Sequence, residues 1–228
     1  MSEKKIINSN TILVSSGKGG VGKSTISCIL AQQLSKKGKK VALIDSDVHC
    51  SSIRTIFGIE KSVSNFVYKY GVNILALETN PSQYFAWRGP IATKILRNMI
   101  DSQNLKDFDY VIIDMPPGTG DVHMSIASNY HIKGAIIVST PQKIAFNNAI
   151  KAANLYKIYS IEILAIVENM SNLLSPNETS KKALEELAKT LPLHLSKTMS
   201  LEFNPLISKA CDEGLPIDIE VDLTQLLY

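Results

Sequence analysis

The sequence predicts a doubly wound α/β fold, in which helices cover both faces of a mostly parallel sheet. Short runs of β-branched and other apolar residues recur along the chain, and the stretches between them are long enough for helices. Within each run the apolar residues are continuous, which is typical of parallel strands buried on both faces. Because right-handed crossovers join such strands, their carboxyl ends should meet at one edge of the sheet and hold the ligand site.

These patterns predict the elements in chain order. The predicted strands are Thr11–Ser15, Lys40–Ile44, Val72–Leu77, Tyr110–Ile113, Ala135–Ser139 and Ile161–Val167. The predicted helices, which carry apolar residues at helical spacing, are Lys23–Lys37, Pro90–Ser102, Gln142–Ile158 and Glu178–Thr190. Near the C-terminus, Pro216–Leu223 alternates apolar with acidic side chains, which predicts an edge strand that docks over the sheet or over a second subunit.

The composition is that of a globular protein with a substantial core. Of the 228 residues, 45% are hydrophobic and 20% are charged. No repeat, low-complexity tract or Pro/Gly-rich linker divides the chain, so we expect residues 1–228 to form a single domain. The net charge of +3, without a dense basic block, does not indicate a nucleic-acid partner.

Cysteine usage and hydropathy predict a cytoplasmic protein. Cys28, Cys50 and Cys211 form no C-x-x-C pair, which excludes a disulfide framework and is typical of a reducing compartment. The opening residues MSEKKIINSN contain no targeting segment. Every apolar run is well short of the ~20 residues that cross a bilayer, so no integral membrane segment is expected.

A glycine-rich loop predicts the phosphate site. Residues 17–25 read GKGGVGKST and satisfy G-x-x-x-x-G-K-[ST] between a predicted strand and a predicted helix. Backbone N–H groups of such a loop, with the helix N-terminus, bind phosphate. Lys23 would neutralise the terminal phosphates of ATP, and the Ser24 hydroxyl would ligate Mg²⁺. The predicted nucleotide-binding residues are Gly17, Lys18, Gly19, Gly20, Val21, Gly22, Lys23, Ser24 and Thr25. The alternative is a glycine-rich turn that only caps the helix.

Carboxylates follow two of the predicted strands. Asp45 and Asp47 follow the second strand, and Asp114 ends the strand that begins at Tyr110. Sheet topology would bring both clusters beside the phosphates. Asp114 fits a Walker B carboxylate that holds Mg²⁺, and Gly118–Gly120 could sense the γ-phosphate. Such aspartates can also be ordinary solvated strand ends.

The second lysine of the loop, Lys18 in GKGGVGK, resembles the deviant Walker A of the MinD/ParA/nitrogenase-iron-protein class of P-loop ATPases. The resemblance implies a homodimer that encloses two nucleotides, with Lys18 of one subunit reaching the phosphates of the other. It also implies that Asp47 orients the attacking water and that Asp45 supports Mg²⁺. Lys18, Lys23 and Asp47 are therefore the predicted catalytic residues, and Ser24, Asp45 and Asp114 are the predicted metal site.

Longer blocks are similar to the Mrp family of iron–sulfur cluster carriers: SSGKGGVGKST, WRGPIATKILRNMI, DYVIIDMPPGTGDVHMSIA and IVENMS. The resemblance implies an ATP-hydrolysing switch in iron–sulfur cluster assembly or delivery, working with client or scaffold proteins. It also implies that Asn169 contacts the adenine edge, for which an amide offers a donor and an acceptor. Without the family, Asn169 would be a turn residue at a strand end.

The sequence departs from this family at the cluster motif. Carriers place a C-P-x-C pair shortly after ENMS, where this chain has Ser175-Pro176-Asn177-Glu178. A hydroxyl and a carboxylate are hard ligands and poor substitutes for thiolates on a [4Fe-4S] cluster. The usual bridging site is therefore not expected. The alternative function is a nucleotide-gated regulatory or positioning ATPase of the ParA/MinD type without a cluster of its own.

Overall fold

One eight-stranded sheet organises the chain in the computed structural model, which describes residues 4–47, 51–59, 65–77, 89–172 and 197–228. The strand order is β3-β4-β2-β5-β1-β6-β7-β8. The strands are β1 Thr11–Ser15, β2 Val41–Asp45, β3 Val67–Lys69, β4 Val72–Leu75, β5 Tyr110–Asp114, β6 Gly134–Ser139, β7 Ile163–Asn169 and β8 Thr198–Leu201. All the strand pairs are parallel except the short β3–β4 hairpin at one edge.

Helices lie on both faces of this sheet. They are α1 Lys23–Lys36, α2 Ser52–Ile56, α3 Gly89–Asp101, α4 Asp121–Asn129, α5 Lys143–Ile158 and α6 Pro205–Glu213, with short 3₁₀ turns at Leu105–Asp107 and Leu223–Leu227. One apolar core joins the sheet to α3, α4 and α5. The other joins its opposite face to α1, α2 and the C-terminal segment. The predicted doubly wound α/β class is therefore confirmed.

The first predicted strand is found with the predicted ends, and the other predicted strands and three of the predicted helices are found with shifted ends. The last predicted helix, Glu178–Thr190, lies outside the described residues. The sequence reading missed β3, β8 and the shorter helices α2, α4 and α6. Four-residue β8 pairs with β7 at the sheet edge and buries only Leu201, so it lacks the continuous apolar pattern used for the other strands.

The predicted edge strand at Pro216–Leu223 is wrong. Side chains of α1 bind its backbone instead: the Ile217 N–H donates to Gln32 Oε1 at 2.9 Å and the Leu223 N–H donates to Gln33 Oε1 at 2.8 Å. Gln33 Nε2 also donates to the Val221 carbonyl at 2.7 Å. The segment does dock, but it docks on α1, and its acidic side chains pair with the lysines at the end of that helix.

No helix within the described part of the chain is both long enough and apolar enough to cross a membrane.

Candidate functional site

The glycine-rich loop joins β1 to α1 at the carboxyl edge of the sheet. Gly22 precedes the helix with a φ of 84°, in the left-handed region that favours glycine. A Cβ at Gly22 would also overlap the side-chain nitrogen of Asn169. Two features therefore require glycine at this position: its backbone conformation and the close approach of Asn169 at the end of β7.

Asp114 is the centre of a buried hydrogen-bonded cluster with α1. Lys23 Nζ lies 2.8 Å from Asp114 Oδ2, and the Ser24 hydroxyl donates to the same oxygen at 2.7 Å. The Ser27 hydroxyl donates to Asp114 Oδ1 at 2.7 Å. Lys23 is 7% exposed and Asp114 is 1% exposed, so these contacts act where water screens charge weakly. The structure therefore brings together the predicted Lys23, Ser24 and Asp114.

Ser27 is a member of this cluster that the sequence reading missed. It lies one helical turn beyond Lys23 and on the same face of α1, because residues four apart share a helix face. Its side chain is fully buried. The four-residue spacing from Lys23 could have indicated Ser27. That spacing predicts a role only when α1 is known to pack against β5.

Asp45 lies beside this cluster because β2 and β5 are neighbours and pair Asp45 with Asp114. Asp45 Oδ1 accepts from the Asp47 N–H at 2.9 Å, and Asp45 Oδ2 accepts from the Ser51 hydroxyl at 2.6 Å. Burial, and next the charge of Asp114, raise the pKa of Asp45 to about 7. Two carboxylates share a buried site here, an arrangement suited to a cation between oxygen ligands.

A cavity of about 440 Å³ opens over the loop. Its walls are residues 18–25 of the glycine-rich loop with Ser16, Asp47, Ser52, Ile56, Pro117 and Met170. The volume lies in the usual range for small-molecule sites. Asp47 is partly buried at its wall and presents a carboxylate near the predicted phosphate position.

Lys18 lines the same cavity, and its side chain points to a neighbouring helix. Lys18 Nζ donates to Gln142 Oε1 at 3.1 Å, in a solvent-exposed hydrogen bond at the N-cap of α5. The structure thus places Lys18 at the rim, whereas Lys23 is buried in the acidic cluster.

Asn169 ends β7 and lines a second cavity. Its Nδ2 donates to the Val21 carbonyl of the loop at 2.9 Å. This second cavity has a volume of about 270 Å³, and Thr25, Phe203 and Cys211 are among its other lining residues. Met170, in the left-handed region at a φ of 58°, borders both cavities. Thr25 lines both cavities as well, so the two cavities adjoin.

The loop after β5 folds back over the phosphate end. Gly118 has a φ of 94°, and its N–H donates to the Ser16 carbonyl at 3.0 Å. The His123 imidazole is buried behind this loop and bonds to the Pro116 carbonyl. The sequence showed no metal-ligand spacing around His123, and its contact with the loop could not be predicted.

The described cysteines are free thiols. Cys28 is buried in the core and Cys211 is half-buried, and burial raises the pKa of both. In the described ranges, no group of three or more His, Cys, Asp or Glu side chains could hold a metal ion. Cys50 and the stretch Ser175–Glu178 lie outside those ranges.

The sequence is similar to that of a known protein family. A family model described as "ParA: NUBPL iron-transfer P-loop NTPase" matches residues 8–225. The iron–sulfur cluster carrier protein of Rickettsia conorii is 41% identical over 214 residues, covering 90% of this chain and 65% of that protein. The carrier protein of Escherichia coli is 35% identical over 217 residues, covering 85% of this chain and 59% of that protein. The chain thus spans less than two thirds of the length of these relatives.

Solved structures show the same fold. A nucleotide-binding protein from Archaeoglobus fulgidus in complex with ADP is 26% identical and has a TM-score of 0.72, covering 97% of this chain and 93% of that one. The cell division ATPase MinD of Pyrococcus furiosus is 20% identical with a TM-score of 0.71, covering 96% of this chain and 95% of that one. The second likeness concerns the fold alone.

Proposed function

Because the chain belongs to the NUBPL iron-transfer P-loop NTPase family, whose model covers residues 8–225, we propose that it is a Mg²⁺-dependent ATPase acting as a dimeric switch in iron–sulfur cluster assembly or delivery. The buried Lys23–Ser24–Asp114 cluster at the glycine-rich loop carries this proposal. We further propose that residues 1–228 act as one P-loop ATPase domain.

The residues of the cluster fit Mg²⁺ and the phosphates of ATP. Ser24 and Asp114 would hold the ion, since a hydroxyl and a carboxylate 2.7 Å apart are the hard oxygen ligands it prefers. Asp45, one strand away, would support it. When bound, Mg²⁺ neutralises charge on the β- and γ-phosphate oxygens. Lys23 is held ready for the same phosphates, so catalysis would rest on positioning and electrostatics.

Asp47 would position the attacking water at the wall of the phosphate cavity. Its backbone N–H is tied to Asp45 at 2.9 Å, which fixes the carboxylate-bearing residue beside the metal site. The adenine would lie toward the second cavity, with its edge on the Asn169 amide. The glycine-rich residues 17–22 and Thr25 would complete nucleotide binding.

Lys18 would act across a homodimer. It is held by one solvent-exposed hydrogen bond to Gln142, and a bond of that kind contributes little stability. Lys18 can therefore leave Gln142 and reach the phosphates of a second subunit. Lys18→Ala should lower the rate of ATP turnover and leave ATP affinity near that of the wild type, because Lys23 and the loop remain. Turnover equal to that of the wild type would contradict the role in the partner's site.

The iron–sulfur cluster would be cargo, handled with client or scaffold proteins. Cys28 is buried and cannot present a thiolate at the surface. Among the described cysteines, Cys211 would supply one thiol for each subunit, so further ligands would come from Cys50, which lies outside the described residues, or from a partner. We place the protein in the cytoplasm, where free thiols of this kind stay reduced.

The replacement of C-P-x-C by Ser175-Pro176-Asn177-Glu178 favours a second candidate function. In that alternative, the ATPase dimer recruits a partner and carries no cluster. Iron and acid-labile sulfide per dimer, measured after anaerobic reconstitution of wild type, Cys50→Ser and Cys211→Ser, separate the two. A stoichiometric, transferable cluster lost in one variant supports the carrier function. An ATPase that holds no cluster in any sample supports the alternative.

A further inference from the structure

His123 connects the loop after β5 to helix α5. It lies on α4 and is 1% exposed. Its Nε2 lies 2.9 Å from the Pro116 carbonyl oxygen, and its Nδ1 lies 2.7 Å from the Tyr156 hydroxyl. Tyr156 belongs to α5 and is fully buried. One side chain thus bonds the loop on one side and a long helix on the other.

The chemistry of its partners fixes the protonation of His123. Burial lowers the pKa of His123 to about 4, so the imidazole is neutral near pH 7 and carries one N–H. The Pro116 carbonyl can only accept, so Nε2 must be the donor. Nδ1 is then an acceptor, and the Tyr156 hydroxyl donates to it. Both ring nitrogens are used, and the ring cannot turn without breaking two buried hydrogen bonds.

The loop that His123 holds has few backbone donors of its own. Pro116 and Pro117 have no N–H group, so they cannot anchor the loop as donors. The Met115 N–H donates to Val14 and the Gly118 N–H donates to Ser16, at either end of the proline pair. His123 binds the carbonyl between these two anchors. The loop directly follows Asp114, the proposed Mg²⁺ ligand.

Helix α5 also contacts the glycine-rich loop. A Cβ at Gly17 would overlap the carbonyl of Asn148, so the loop lies directly on the α5 backbone. Tyr156 lies about two helical turns beyond Asn148. At the other end of the helix, the N-cap residue Gln142 accepts from Lys18. Helix α5 therefore contacts the glycine-rich loop and the proposed trans-acting lysine directly, and it is linked to the loop after β5 through His123.

We propose that His123 and Tyr156 are positioning residues that couple the 115–120 loop to α5, so that a nucleotide-dependent change in this loop moves the helix that holds Lys18. The coupling rests on the proposed function, because it requires that the loop respond to nucleotide. It differs from a packing role: packing would stabilise the fold equally with and without nucleotide, whereas coupling transmits a change from one element to another.

Amide hydrogen exchange tests the coupling without relying on turnover. Tyr156→Phe removes the hydroxyl and keeps the ring, and Tyr159→Phe makes the same change at the end of the same helix as a matched control. Exchange is followed with and without Mg²⁺ and the nonhydrolysable ATP analogue AMP-PNP. In the wild type, the nucleotide should slow exchange in residues 143–148 by about fivefold, the low end of usual coupling. In Tyr156→Phe this response should be lost while the glycine-rich loop is still protected, and Tyr159→Phe should behave as the wild type.

Amide exchange of the same variants without nucleotide tests separately whether His123 and Tyr156 hold the 115–120 loop. Tyr156→Phe should speed exchange of the Gly118–Gly120 amides by about tenfold relative to Tyr159→Phe, the equivalent of one net buried hydrogen bond. His123→Phe is the second variant, to be used if Tyr156→Phe folds poorly. It removes both hydrogen bonds and fills the space, and it should likewise speed exchange of the Gly118–Gly120 amides.

These experiments distinguish failure of the coupling from failure of the proposed function. If nucleotide protects the glycine-rich loop but α5 responds equally in wild type and Tyr156→Phe, the coupling is overturned and the proposed function stands. If nucleotide protects nothing in the wild type, the proposed function fails. In that case the comparison of Tyr156→Phe with Tyr159→Phe without nucleotide decides whether His123 holds the loop. Equal exchange at Gly118–Gly120 in the two variants overturns the proposed contact as well.

Discussion

Ser27→Ala should weaken both the protein and its response to Mg²⁺. The Ser27 hydroxyl donates to Asp114 Oδ1 at 2.7 Å, where Ser27 is fully buried and Asp114 is 1% exposed. Alanine leaves that carboxylate oxygen without this donor. A hydrogen bond to a charged group contributes about 1.5–3 kcal/mol, so we expect the free energy of unfolding to fall by about 2 kcal/mol. Urea unfolding measures this loss.

Ser35→Ala is the matched control for this change. Ser35 lies on the same helix and its hydroxyl donates at 2.7 Å to a neutral acceptor, the Gly71 carbonyl, away from the site. We expect Ser35→Ala to cost about 1 kcal/mol, the usual contribution of a neutral hydrogen bond.

Only Ser27→Ala should change the metal response. Loss of a hydrogen bond to a metal ligand typically weakens metal binding about tenfold or more, so the Mg²⁺ concentration for half-maximal ATP turnover should rise about tenfold. The Ser35→Ala protein should keep the wild-type value. The reasoning is refuted if Ser27→Ala loses less than about 0.5 kcal/mol, or if both variants show the same Mg²⁺ dependence.

Two further predictions concern the same site. Burial, and next the charge of Asp114, raise the pKa of Asp45 to about 7. Between about pH 4 and about pH 7 the native state then binds more protons than the unfolded chain, so the free energy of unfolding should fall as pH rises through this range. The stability that protonated Asp45 contributes is fully present below about pH 4 and is lost above about pH 7. Asp45→Asn should flatten this dependence in urea unfolding, and an unchanged slope would assign it to another group. Gly22→Ala should abolish nucleotide binding and lower the melting temperature more than Gly38→Ala, because both have positive φ but only a Cβ at Gly22 overlaps Asn169. Equal losses in calorimetry would show that the overlap is relieved without cost.

Local features of the site were predictable because they depend on spacing within a short stretch. The loop Gly17–Thr25 combines its glycines, Lys23 and Ser24 between a strand and a helix, and this order alone predicts a phosphate site. Asp114 could be predicted because it ends an apolar strand. Its contact with Lys23 follows from sheet topology, which the continuous apolar runs already indicated.

Features that depend on packing between distant elements could not be predicted. Ser27 matters only because α1 faces β5, and His123 matters only because it bonds from α4 to Tyr156 on α5. The raised pKa of Asp45 depends first on its burial in the folded sheet and next on its register with Asp114. The alternation in Pro216–Leu223 predicted a strand, yet the side chains of Gln32 and Gln33 bind its backbone groups in place of a neighbouring strand. The apolar period of the segment cannot predict these side-chain contacts.

ATP hydrolysis by Lys23→Ala, measured beside the wild type with Mg²⁺ and with the metal chelated, tests the central claim most directly. Lys39→Ala is the control, since Lys39 is an exposed lysine beyond the end of the same helix. The account predicts Mg²⁺-dependent turnover in the wild type and Lys39→Ala and none in Lys23→Ala. Turnover that persists in Lys23→Ala, or that does not require Mg²⁺, would contradict it.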